Sequence, residues 1–202
     1  MIRKLEDMCH DKNFNKEEAI KLMHQININQ EFERDNKFGC SYTTTLQAEA
    51  IDNNNIEMLS LLLENGADPN QIYWDEESEL WNLQYCDGQE SELDEIRLKM
   101  AQLLLEYGAN PNMNPANEPE DLFNWVWYEL GDEPYGYSWI YRSRFFILLV
   151  AYGGKTQYWE PKILKSFDKS NMKKYRFYFL RERINDYCAI IVDDNEEIIA
   201  YI

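Results

Sequence analysis

The chain has 202 residues, 45% of them hydrophobic, and a formal net charge of −17 from 37 acidic against 20 basic residues. That apolar content suits a substantial core, yet no apolar run reaches the roughly eighteen residues that a membrane span requires. Acidity on this scale disfavours nucleic acid, whose phosphates need a basic contact face; the composition leads us to expect a protein partner, no membrane and a cytoplasmic address.

The N-terminus, MIRKLEDMCHDKNFNKEEA, lacks the apolar central region of a secretory signal. Cys9, Cys40, Cys86 and Cys188 lie far apart with no CxxC pair, which in a helical chain of this size predicts reduced thiols. Residues 16–30, KEEAIKLMHQININQ, give a first helical pattern ending at Asn29-Gln30. A clearer one follows in residues 44–70, TTLQAEAIDNNNIEMLSLLLENGADPN, where two helices flank an Asn-rich turn. Ile56, Leu59, Leu62 and Leu63 share one helical face. Gly66 then stops the helix, because glycine reaches the left-handed conformation that the last carbonyls need. Asp68 and Asn70 around Pro69 favour a turn.

The pattern returns. Residues 97–117, RLKMAQLLLEYGANPNMNPAN, carry the stripe Leu98, Ala101, Leu104 and Leu105, then Gly108, Asn110, Pro111 and Asn112. RFFILLVAYGGKTQYW, from Arg144, is a weaker copy with Phe146, Leu149, Val150 and Gly153. The spacings are 41 residues from Asn29 to Asn70, 42 from Gly66 to Gly108 and 45 from Gly108 to Gly153. A repeat of this period signals stacked units.

Charge is unevenly placed along these copies. From Asp75 to Glu133 sixteen acidic residues face only Arg97 and Lys99, a local net of −14. From Lys155 to Arg183 nine basic and three acidic residues give +6. Such asymmetry steers oppositely charged partners. Aromatics interleave the acidic run: Tyr73 and Trp74 open it, Trp81 and Tyr85 sit inside it, and Trp125, Trp127, Tyr128, Tyr135, Tyr137 and Trp139 follow. After Pro161 the glycine stop does not return. Residues 187–193, YCAIIVD, and 198–202, IIAYI, read as two strands around a polar turn, while YRFYFLRER from Tyr175 fits a strand or a helix.

The LLxxGAxPN motif, present as LLENGADPN and LLEYGANPN, resembles the second helix and following finger loop of ankyrin repeats. The T-P-L-H start of that family is absent, and the period exceeds its usual length of about 33 residues. The resemblance implies a mainly α fold: an ankyrin-like stack of about four helix-turn-helix repeats over residues 1–160, closed by a small β-containing cap with a hairpin over residues 161–202. It also implies that fingers and first helices line a concave, partner-binding face. Tyr73, Trp74, Asp75, Glu76 and Glu77 then form one finger. With Tyr85, Trp125, Tyr128, Glu129 and Tyr135 they are the expected partner-binding residues, since Tyr and Trp among charges are what interfaces use as anchors. Phe123, Trp127 and Trp81 are the aromatics most expected in the core.

Catalytic chemistry finds little support. Only His10 and His24 are present as bases, and Cys9 beside His10 points about 100° away from it on a helix. No metal-ligand spacing, calcium loop or phosphate-binding glycine loop occurs, and the abundant carboxylates single out no acid–base pair. We therefore expect no catalytic residues, no metal and no cofactor. The expected function is non-catalytic binding of a basic protein. Small acidic ankyrin-like proteins encoded with bacterial toxins act as immunity proteins, and the resemblance implies that role as one reading. A general adaptor and an enzyme with its site in the C-terminal segment stay open as alternatives.

Overall fold

A computed structural model describes residues 1–35, 41–73, 77–84, 92–113, 121–132, 137–155, 160–184 and 187–202. The fold is mainly α, with antiparallel strands. It divides into two compact units. One is built chiefly from Met1–Leu83 and Glu92–Asn110, the other chiefly from Pro111–Asn114 and Glu118–Ile202. No described helix is long and apolar enough to cross a membrane.

The first unit holds helices α1 (Ile2–His10), α2 (Lys16–Met23), α3 (Leu46–Asp52), α4 (Ile56–Glu64), α5 (Glu79–Asn82) and α6 (Glu92–Glu106). Two hairpins interrupt them: β1 (Phe32–Asp35) with β2 (Ser41–Thr44), and β3 (Ile72–Tyr73) with β4 (Glu77–Ser78). Helix starts are set by short polar side chains accepting from the first turn: Asn15 from Glu18, Thr45 from Ala48, Asn55 from Met58 and Ser78 from Trp81. Asn55 does more. Its buried amide also donates to the carbonyls of Met8, Cys9 and Asp11, at 3.1 to 3.3 Å, and so ties the end of α1 to the start of α4. Leu5, Leu46, Met58, Leu59, Leu62, Leu80, Met100 and Leu104 form the dry centre of this unit.

The helix stops are alike in detail. Gly66 and Gly108 sit at φ +94° and +95°. Their amides bond the carbonyl three residues back, and the next residue, Ala67 or Ala109, bonds Leu62 or Leu104 five residues back. This is the paired bonding that closes a helix through a left-handed glycine.

The second unit pairs α7 (Leu122–Asp132) with α8 (Tyr137–Ala151), which ends at Gly153 with φ +90°. Strands β5 (Lys162–Ile163), β6 (Arg176–Ile184), β7 (Tyr187–Val192) and β8 (Ile198–Tyr201) make an antiparallel sheet in the order β5-β8-β7-β6. The ambiguous aromatic–basic segment is therefore strand β6, because it finds a partner in β7 from Arg176 opposite Val192 to Phe179 opposite Ala189. Phe177 of its inner face meets Phe146 of α8 and Trp127 of α7 edge-on, at ring separations of 5.6 and 6.1 Å. Phe123 stacks on Phe146 at 4.8 Å.

Candidate interaction site

The turns that follow the glycine stops are gripped by asparagines. In the first unit Asn29 donates to the Gly66 carbonyl at 3.4 Å and accepts from the Asp68 amide at 2.8 Å. Asn70 does the same to Gly108 and Asn110, at 3.0 and 2.7 Å. In the second unit Asn112 repeats it on Gly153 and Lys155, at 3.3 and 2.7 Å. An amide side chain carries a donor and an acceptor on neighbouring atoms, and each grip uses both. Each grip fixes where the chain leaves its helix, and in the first unit Asn70 leads directly into the β3–β4 hairpin.

Beneath β1–β2 lies a cluster of charges that sequence reading did not single out. Glu49 of α3 is fully buried. Arg34 of β1 donates through Nη1 to Glu49 Oε2, and its Nε lies 3.3 Å from Glu6 Oε1 of α1. Arg3 donates through Nη1 to the other Glu6 oxygen at 2.8 Å and through Nη2 to the Glu33 carbonyl at 2.6 Å. His10 Nε2 is 3.4 Å from Glu49 Oε2. Glu49 Oε1 is buried without a hydrogen-bond partner among the described residues. Glu6, His10 and Glu49 bring ligand-type atoms within 4.8 Å of one another, but Arg34 already occupies the position a cation would take between the two carboxylates.

The field of this cluster is visible in its neighbours. Burial pushes the Cys9 thiol up to about 12, with Glu49 and Glu6 adding to the rise. Burial, then Glu49, also raises Tyr42 and Asp52, while Arg34 opposes both. Arg34 itself stays above its ordinary value: burial works against its charge, and the hydrogen bond and attraction to Glu49 prevail. A thiol held this high is no nucleophile, and His10 faces Glu49. The arrangement is suited to holding a cation.

The residues expected to contact a partner are placed unevenly. Trp74, Asp75, Glu76, Tyr85 and Tyr135 lie outside the described residues. Tyr73 and Glu77 are direct register partners across β3–β4. Trp125, Tyr128 and Glu129 are brought together on one side of α7 by their spacing of three and four. Trp125 is half-buried, Tyr128 is 57% exposed, and Glu129 is held by Arg142 at 2.9 Å. Phe123 and Trp81 are buried, while Trp127 is half-buried beside the sheet. The overlooked signal was Glu49 itself, an acid set between alanines in LQAEAID, where Leu46 to Ile51 are all buried and Asp52 is exposed.

An ankyrin-repeat family model matches residues 44–73, the stretch from the end of β2 through α3 and α4 to β3. No curated protein matches the chain. The match supports an ankyrin-repeat protein, and ankyrin repeats are in general interaction modules that bind protein partners.

Proposed function

We propose that the chain is a non-catalytic protein-binding module of divergent ankyrin-like repeats, with residues 1–160 as the repeat part and 161–202 as its β-containing cap. Its acidic, aromatic fingers and first helices take a basic protein. The observation that carries this reading is the recurrence of one finger geometry, an asparagine gripping a left-handed glycine stop, in register with a family match over residues 44–73. The −14 segment from Asp75 to Glu133 supports a basic partner, because complementary fields raise encounter rates and exclude like-charged competitors. Tyr128 of α7, exposed beside Trp125 and the ion pair of Glu129 with Arg142 of α8, supports an aromatic anchor within a charged surround. Occupying the basic cleft of a toxin would make the chain an immunity protein in the cytoplasm.

Affinity capture from the native lysate, followed by mass spectrometry, tests this. We expect a basic protein whose recovery drops in the triple variant D75K/E76K/E77K and in Y128A. Recovery of the same protein at equal yield by all three forms would remove the acidic finger and Tyr128 from the interface. A captured partner that is itself strongly acidic would remove the charge argument.

A further inference from the structure

We propose that Glu6 and Glu49 form an arginine-recognition pocket, filled in the free protein by Arg34 of the same chain and taken over by an arginine side chain of the basic partner. The inference rests on the basic-partner reading above and names the group that partner presents.

Two carboxylates converge on one guanidinium, from α1 and from α3, while Arg3 holds the far oxygen of Glu6 and so fixes its direction. Glu49 is fully buried, so the pocket requires a cation at all times: a buried carboxylate stripped of its partner is strongly destabilising. The resident cation is only partly matched. Arg34 spends one nitrogen on Glu49 and another on Glu6, leaving Glu49 Oε1 buried and without a hydrogen-bond partner among the described residues. A guanidinium not tethered to β1 can present two parallel N–H groups to Glu49, the geometry in which arginine exceeds lysine. Access exists on the side of Arg34 and His10, whose side chains are 28% and 36% exposed. The tether draws on little strand pairing. Arg34 belongs to a two-stranded hairpin with four residues in each strand, opposite Tyr42, and such ribbons are marginal alone.

The test uses the full chain and two amidated octapeptides, alternating Gly-Arg and alternating Gly-Lys, of equal charge. Amide hydrogen exchange is followed at residues 32–35 and 41–44. We expect the arginine peptide to speed exchange in the hairpin several-fold, the lysine peptide to leave it unchanged, and E49Q to lose the difference. Equal responses to both peptides, or no response to either, would overturn the pocket. In R34A, millimolar methylguanidinium is expected to raise Tm by several degrees where methylammonium does not; equal effects of the two ions would again overturn it. Failure of the basic-partner reading reads out separately, since these measurements need no natural partner, and loss of the pocket leaves the acidic fingers standing.

Discussion

Gly66 shows how much a single residue decides in this chain. At φ +94° an L-residue is strained even though a Cβ there would meet nothing within 4 Å. Gly66→Val is expected to cost about 2 kcal/mol, seen in denaturant unfolding, entirely through backbone conformation. Gly154 fails for the opposite reason. A Cβ there would overlap the ring of buried Phe123 and lie 2.8 Å from the Leu149 carbonyl, so Gly154→Ala is expected to cost about 1–3 kcal/mol through overpacking. Cys9, buried with its thiol raised to about 12, is expected to resist iodoacetamide at pH 8 until the protein unfolds, as read by mass spectrometry. Alkylation of Cys9 at the rate of an exposed thiol would show that the Glu6–Glu49 region opens in the native state. At this scale glycine stops were legible, because only one residue type meets their backbone demand. Glu49 was not. Its role depends on Arg34, fifteen positions earlier on a strand with no telling alternation, and on Glu6 in another helix.

Elements in this fold are joined by side chains reaching across turns as much as by apolar faces. Asn70 satisfies both the Gly108 carbonyl and the Asn110 amide. Asn70→Ala is expected to lower stability by about 1–2 kcal/mol. Asn70→Asp removes the donor and sets a carboxylate against that carbonyl, so it should rescue little. Full rescue by Asp would show that only the bond to Asn110 matters. The β7–β8 connection adds a pH dependence. Burial tends to raise the Asp193 carboxyl, but the amides of Glu197 and Asn195, each 3.0 Å from Oδ1, hold it below the usual value of 3.8. A lowered folded value contributes stability above the unfolded value that is lost as pH falls through the folded one. Stability against unfolding, measured between pH 2 and 5, should therefore fall below about pH 3.8 in the wild type, with a shallower slope in Asp193→Asn. The helical elements and the strands β7 and β8 could be read from period and composition. Strand β6 could not, since alternation of aromatic and basic residues fits two geometries until β7 supplies a ladder. The short β1–β2 hairpin gave no pattern, for four residues per strand are too few to show one.

At the scale of the whole molecule the dominant feature is charge: −17 in total, with −14 between Asp75 and Glu133 and +6 between Lys155 and Arg183. Contacts of this kind govern encounter, whereas anchors such as Tyr128 govern residence. Charge reversal in the finger and truncation of an aromatic should consequently separate in kinetics, the first slowing association and the second speeding dissociation. The direct measurement is the association rate with the captured basic partner at 0.1 M and 1 M salt, across which the Debye length falls from about 10 Å to about 3 Å. A partner steered by the acidic segment should associate more slowly at high salt by about tenfold or more, and D75K/E76K/E77K should flatten that dependence. An association rate unchanged by salt, and equal in the wild type and the triple variant, would contradict the account.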